Sequence, residues 1–293
     1  MSDINSVVVD SLKVLDPKPP IREADMRERQ WQSKPRARPY GRGPDARRER
    51  RRGEQRGDLG DAVILYGWHS VTAALANPAR RIRRLLATEN AIRRLAEEGI
   101  TPSVTPELVR PDALVARLTR DAVHQGLLAE ADRLPSPAVE DLDAGIVLVL
   151  DQITDPHNVG AILRTAAAFA VSAVVTTARH SPEATGVLAK AASGALELVP
   201  IVIVQNLARG LAALKERGFL LVGLDSSAAD DLAAIKLQAP LALVLGAEGK
   251  GLRQLTGATC DRLARLALPG AIKSLNVSNA AALALYIAAR ATA

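Results

Sequence analysis

The chain has 293 residues, 48% of them hydrophobic but only 2% aromatic, so it can bury a core and must build it from Ala, Leu, Val and Ile. Lys and Arg number 38 against 32 Asp and Glu, a net charge of +6 that suits a polyanionic partner. The single cysteine, Cys260, excludes a disulfide framework and a zinc site built on paired cysteines, and no uncharged run is long enough to span a membrane.

Residues 1–61 differ from the rest. Between Arg27 and Arg56 stand eleven Arg and one Lys against four acids, with frequent Pro and Gly and few apolar side chains. Such a segment cannot bury enough surface to offset its chain entropy and reads as a disordered arm, placed either to bind RNA or to solubilise the chain. Asp3 and Asp10 interrupt any secretory signal, so the reading is of a soluble cytoplasmic protein. Ordered structure is predicted from Ala62: a strand at Val63–Tyr66, a helix at Trp68–Ala76, a strand at Arg83–Ala87, a helix at Asn90–Glu97 closed by Gly99, and apolar segments near Val104 and Leu127–Ala129. This small α/β unit, residues 62–131, carries a basic edge of Arg80, Arg81, Arg83, Arg84, Arg93 and Arg94, which the charge surplus favours as RNA-facing. Residues 132–143, with Pro135, Pro137 and several acids, read as a linker.

From residue 144 to the end, strands at 146–150, 172–177, 199–204, 219–224, 241–246 and 262–268 alternate with helices, including Val159–Phe169, Leu207–Arg217 and Val277–Arg290. Apolar strands without clean alternation, separated by helices, predict a parallel sheet covered on both faces. The fold class is therefore α/β, in two domains.

Three segments combine strand ends, glycines and uncompensated polar residues. In Leu150–Phe169 a helix is expected to start near Asn158, whose structural role would be an N-cap, and Arg164 follows among alanines, where a guanidinium needs an acid or a phosphate as partner. In Leu243–Leu252 a buried strand runs into Gly246, Gly249 and Gly251, with Glu248 among them. Neither the P-loop nor the dinucleotide spacing is met. In Leu268–Arg290, Ser274, Asn276, Ser278 and Asn279 cluster at the entrance of an apolar helix, more polar groups than capping requires. The four histidines are scattered and form no metal signature, and no Ser–His–acid arrangement is present.

These three segments, in this order, resemble the motifs of the SpoU/TrmH family of RNA 2′-O-ribose methyltransferases, part of the SPOUT superfamily, and LYGWHSVTAAL (Leu65–Leu75) with AVHQGLLAE (Ala122–Glu130) is similar to the ends of that family's substrate-binding domain. The resemblance covers Ala62 to Ala293. It implies an L30e-like RNA-binding domain, a C-terminal domain with a deep trefoil knot, a homodimer, and S-adenosylmethionine as methyl donor. It further implies a 23S rRNA guanosine as target, with no membrane or DNA partner. A tRNA 2′-O-methyltransferase and a non-catalytic RNA-binding assembly factor are the alternatives.

By the same resemblance, Asn158, Arg164, Glu248, Ser274 and Asn276 form the catalytic set. Gly246, Gly249, Leu268, Leu275 and Asn276 would hold the cofactor. Arg164 would clamp the substrate phosphate, Asn158, Ser274 and Asn276 would orient ribose and loop, and Glu248 would fix either its own loop or Arg164. No metal is implied. Lys273 departs mildly from the family pattern.

Overall fold

The computed structural model describes residues 62–119, 122–179 and 186–292. The Arg-rich arm expected to be disordered lies outside the described residues.

The first unit is a four-stranded sheet in the order β1-β4-β2-β3, made of β1 (Ala62–Tyr66), β2 (Ile82–Ala87), β3 (Glu107–Leu108) and β4 (Leu127–Asp132). β4 pairs antiparallel with both β1 and β2. Three helices join these strands: α1 (Trp68–Ala76), α2 (Glu89–Glu97) and the short α3 (Pro111–Val115). The Thr88 hydroxyl caps α2 by accepting from Ala91 N, with Glu89 in the first turn and Arg94 in the last, charges placed to suit the helix dipole. The segment near Val104 forms no strand, and α3 and β3 are too short to show in apolar periodicity.

The second unit is an all-parallel seven-stranded sheet in the order β7-β6-β5-β10-β8-β11-β9. Its strands are β5 (Ile146–Asp151), β6 (Ala173–Thr177), β7 (Ile201–Val204), β8 (Leu220–Leu224), β9 (Asp230–Asp231), β10 (Leu241–Gly246) and β11 (Arg262–Arg265). The connecting helices are α4 (Pro156–Ala168), α5 (Gly186–Ala192), α6 (Leu207–Glu216), α7 (Gln254–Thr259) and α8 (Val277–Thr292). On β5, Ile146, Leu148 and Leu150 enter one apolar cluster and Val147 and Val149 the other. Both faces of the strand are buried, which is why it reads as an unbroken apolar run.

The strand expected over 262–268 ends at Arg265. Its neighbours end there too, since Ala264 pairs with the last residue of β8 and Arg265 with the last of β9, so the chain leaves the sheet. The expected linker is partly structured: Val139–Asp141 forms a 3₁₀ turn and Val139 is buried against the sheet.

The two sheets share one continuous apolar core, which runs from Val63 and Leu65 through Leu188 to Leu148. Helix α5 packs on β1 and α1. At this junction Arg80 pairs with Glu197 at 2.7 Å, their side chains 5% and 3% exposed, and Asn77 Nδ2 donates to the same carboxylate at 2.8 Å.

Candidate functional site

In an open parallel sheet, ligands gather beyond the carboxyl ends of the strands where the strand order reverses. Here the chain builds outward from β5 to β6 and β7, then crosses to β8, and β10 later fills the place between β5 and β8. Asp151 and Gly246, the last residues of β5 and β10, face each other in register at this switch point.

Asp151 is 1% exposed, and its carboxylate accepts from Arg253 N at 3.0 Å and from Arg253 Nε at 2.7 Å. The pair fastens the far end of the 247–253 loop to the end of β5. Sequence reasoning passed over both residues. The available signal was an acid closing an otherwise wholly apolar strand, which requires a buried partner.

Gly246 sits where the loop doubles back: an added Cβ would lie 2.2–2.4 Å from the backbone of Gly251 and Leu252. Within the loop, Gly251 N donates to the Ala247 carbonyl at 2.9 Å. Gly249 and Gly251 take φ values of 74° and 66°, and a Cβ at either would meet nothing within 4 Å. The loop thus shows open backbone on its outer side.

Asn158, Glu248 and Asn276, from three distant parts of the chain, meet in one hydrogen-bonded cluster. Asn276 Nδ2 donates to Asn158 Oδ1 at 2.9 Å and to Glu248 Oε1 at 2.7 Å, and Glu248 Oε1 also accepts from Val277 N at 3.1 Å. Asn276 in addition opens α8: its carbonyl accepts from Ala280 N at 3.0 Å and its Oδ1 from Ser278 N at 2.9 Å. Asn158 is not the N-cap of α4. Asp155 is, accepting from His157 N at 3.1 Å ahead of Pro156, and Asn158 lies in the first turn with its amide turned to Asn276. Glu248 binds the entrance of α8; among the described residues it makes no pair with Arg164. A cleft of about 440 Å³ opens beside the cluster, lined by Gln152, Thr154, Asn158, Glu248 and Lys250 among others.

The other expected site residues stand apart from this cluster. Arg164 lies on the exposed face of α4 and meets no carboxylate among the described residues, so its surroundings leave it available to an external anion. Ser274 is exposed and makes no hydrogen bond among the described residues. Leu268 and Leu275 lie on the irregular segment between β11 and α8, where Lys273 Nζ donates to the Leu268 carbonyl at 2.8 Å. Among the described residues, no N–H from Leu268 to Leu275 finds a hydrogen-bond partner, while Ile272 and Leu275 are exposed. Unpaired backbone donors, an apolar surface and an open glycine loop fit a ligand held through its edges by main-chain atoms, as the resemblance implies for S-adenosylmethionine.

Each arginine of the first unit's basic edge has an acidic neighbour, and all but Arg80 keep their side chains open to solvent. Arg80 pairs with Glu197, Arg81 and Arg83 with Asp132, Arg84 with Glu107 and Glu130, Arg93 with Glu97, and Arg94 with Glu98. Arg94 also stacks 3.8 Å above the Trp68 ring. Glu97 and Glu98 stand four residues after their arginines on α2, whereas Glu197, Asp132, Glu107 and Glu130 are distant in sequence and only folding brings them to the edge.

Two family profiles match the chain: the SpoU rRNA Methylase family over residues 145–286, and RNA 2′-O ribose methyltransferase substrate binding over residues 64–137. Among curated relatives, 23S rRNA (guanosine-2′-O-)-methyltransferase RlmB of Pseudomonas putida is 38% identical over 243 residues, 77% of this chain and 95% of that protein. The protein of the same name from Ralstonia nicotianae is 39% identical over 241 residues, 79% of this chain and 97% of its own. Among solved structures, a TrmH-family chain from Porphyromonas gingivalis aligns with a TM-score of 0.68 at 28% identity, over 82% of this chain and 93% of that one. The AdoMet-bound rRNA methyltransferase from Sinorhizobium meliloti shares the fold, with a TM-score of 0.68 at 21% identity over 81% of this chain and 90% of its own.

Proposed function

The chain belongs to the SpoU rRNA methylase family, and from that premise we infer that it transfers a methyl group from S-adenosylmethionine to the ribose 2′-OH of a guanosine in 23S rRNA. The observation that carries this reading is the match to relatives named for that reaction across both units, nearly end to end on their side.

Within this reaction the residues take the following parts. The cofactor is held by main-chain atoms of the Gly246–Gly251 loop and of the segment carrying Leu268 and Leu275. When bound, it supplies a methyl group already activated by its sulfonium. Arg164 holds a phosphate of the substrate and sets the 2′-OH in line for transfer. A guanidinium stays protonated, so the hydroxyl proton passes to a phosphate oxygen or a water that Arg164 orients. Asn276, fixed by Asn158 and Glu248, shapes the entrance of α8 and with it the segment that carries Ser274 and Leu275. This is supported by the amide of Asn276 donating to both partners.

The division into an arm (1–61), an RNA-binding domain (62–131), a linker (132–143) and a catalytic domain (144–293) is proposed on the same basis, supported by the two separate sheets. The arm's arginines add phosphate contacts. The catalytic domain carries the superfamily's knot, which is supported by the insertion of late strand β10 between β5 and β8. The protein works as a homodimer in the cytoplasm. The exposed side chains of Ile272, Leu283 and Tyr286, on α8 and the segment before it, support a self-association surface. Among the described residues, no helix is long and apolar enough to cross a membrane.

The test is methyl transfer from labelled S-adenosylmethionine to separate 23S rRNA, 16S rRNA and tRNA pools, with products mapped by alkali resistance. A 2′-O-methyl group removes the nucleophile for strand cleavage, so one resistant linkage in 23S rRNA is expected. Labelling confined to tRNA would overturn the substrate.

A further inference from the structure

A second cleft, of about 300 Å³, opens at the C-terminal edge of the same sheet. Its walls come from Thr177 and Arg179 at the end of β6, Asn206 and Ala208 at the entrance of α6, and Arg253 and Thr256 at α7. No acidic side chain lines it. Arg179 is exposed and meets no carboxylate among the described residues.

Arg253 is the built part of the cleft. The wholly buried carboxylate of Asp151 takes its Nε at 2.7 Å and its backbone N at 3.0 Å. The guanidinium is thereby fixed in orientation, its side chain still 42% exposed, and its Nη donors make no hydrogen bond among the described residues. A guanidinium locked on one edge and open on the other loses little entropy when it binds a planar or tetrahedral oxyanion. The positive end of the ten-residue helix α6 adds to the same field.

The cleft is two strands away from the Asn158–Glu248–Asn276 cluster, about 10 Å at the usual strand spacing. Arg253 belongs to both: Asp151 ties it to β5, and it ends the loop that presents Glu248. We propose that this cleft binds a backbone phosphate of the substrate RNA, on a nucleotide flanking the one that is methylated. The assignment rests on the proposed function for the identity of the RNA.

The test uses the full chain and a 23S rRNA transcript, with binding measured over a series of NaCl concentrations. Arg179→Ala is expected to weaken RNA binding roughly 3- to 10-fold and to lower the slope of log K against log salt by about 0.7–0.9, the share of one phosphate contact. Arg179→Lys should restore most of the slope. Ala208→Glu places a carboxylate in the cleft at a helix start that tolerates one, and is expected to weaken binding similarly. S-adenosylmethionine affinity, measured directly, should not move in any of these variants.

Unchanged RNA affinity and slope in Arg179→Ala would overturn the proposal, and would also be the result if the cleft took only free phosphate. Lys236, which follows β9 at the opposite edge of the sheet, is the control, and an equal loss in Lys236→Ala would reduce the effect to overall charge. If the wild type shows the Arg179 effect yet methylates no RNA pool, the phosphate site stands and the enzymatic reading falls. If the wild type binds no RNA, both fall.

Discussion

Asn276 serves two structures through one short side chain. Its Oδ1 caps α8 and its Nδ2 draws in Asn158 and Glu248, so the residue joins the helix start to the site. Replacing it with Ala is expected to cost about 1 kcal/mol for the cap, a fall in Tm of about 2–4 °C, and to abolish methyl transfer as the segment before α8 loosens. Differential scanning calorimetry and a methyl-transfer assay would separate the two effects. Arg164 is exposed and makes no hydrogen bond or ion pair among the described residues, so Arg164→Ala should leave Tm and S-adenosylmethionine binding unchanged while methyl transfer is lost. Retained turnover would remove Arg164 from the reaction. Cys260 gives a prediction in pH. Burial, and then the adjacent Asp261 carboxylate, push its thiol up to about 11. Between the ordinary thiol value and about 11, the unfolded chain has released this proton and the folded chain has not, so stability falls as pH rises through that window. Iodoacetamide at pH 8 should alkylate the thiol slowly in the native protein and quickly in urea.

At the scale of elements, the 247–253 loop is held at both ends, by the crossing at Gly246 and by the Asp151–Arg253 pair. Gly246→Ala would force the Gly251–Leu252 backbone outward, a strain of about 1–3 kcal/mol, and S-adenosylmethionine affinity should fall with it. Calorimetric titration of the cofactor would show this, and wild-type affinity in that variant would exclude the loop from the binding site. The Arg80–Glu197 pair works differently, because it ties α1's exit to the turn after α5 inside the shared core. Glu197→Ala leaves Arg80 buried without its partner and is expected to cost about 3–5 kcal/mol, measured by urea unfolding. A cost near zero would mean that the shared apolar core holds the two sheets together without this pair. The sequence placed Arg80 on a basic edge because charge alone suggested it. Glu197 lies more than a hundred residues downstream, among the elements of the second sheet, and nothing local marks the two as partners.

For the whole molecule, the exposed apolar side chains of Leu283 and Tyr286 on α8 lie on the same unit as the exposed Arg164, which has no ion-pair partner among the described residues. In the proposed dimer, that apolar surface is covered by a second copy. Light scattering at working concentration should therefore report twice the chain mass, and Tyr286→Glu should halve it while the monomer stays folded. A monomeric wild type would overturn the proposal.

What the sequence determined by itself was local or periodic. Apolar runs buried on both faces announced the parallel sheet, and most helices were legible in chain order. The polar residues at strand ends marked the three segments that carry the site, and their resemblance to a family supplied the chemistry. Only the tertiary structure decided how those residues divide their work. Asp155 rather than Asn158 caps α4, which frees Asn158 to accept from Asn276 in a distant segment. The strand 262–268 stops at Arg265 because its neighbours stop there. Arg80, Arg83 and Arg84 of the first unit meet acids far away in sequence, and Arg253 is aimed by a buried aspartate a hundred residues upstream. Pairings of this kind depend on which chain segments the fold brings within about 3 Å of one another, a distance that neither composition nor spacing encodes.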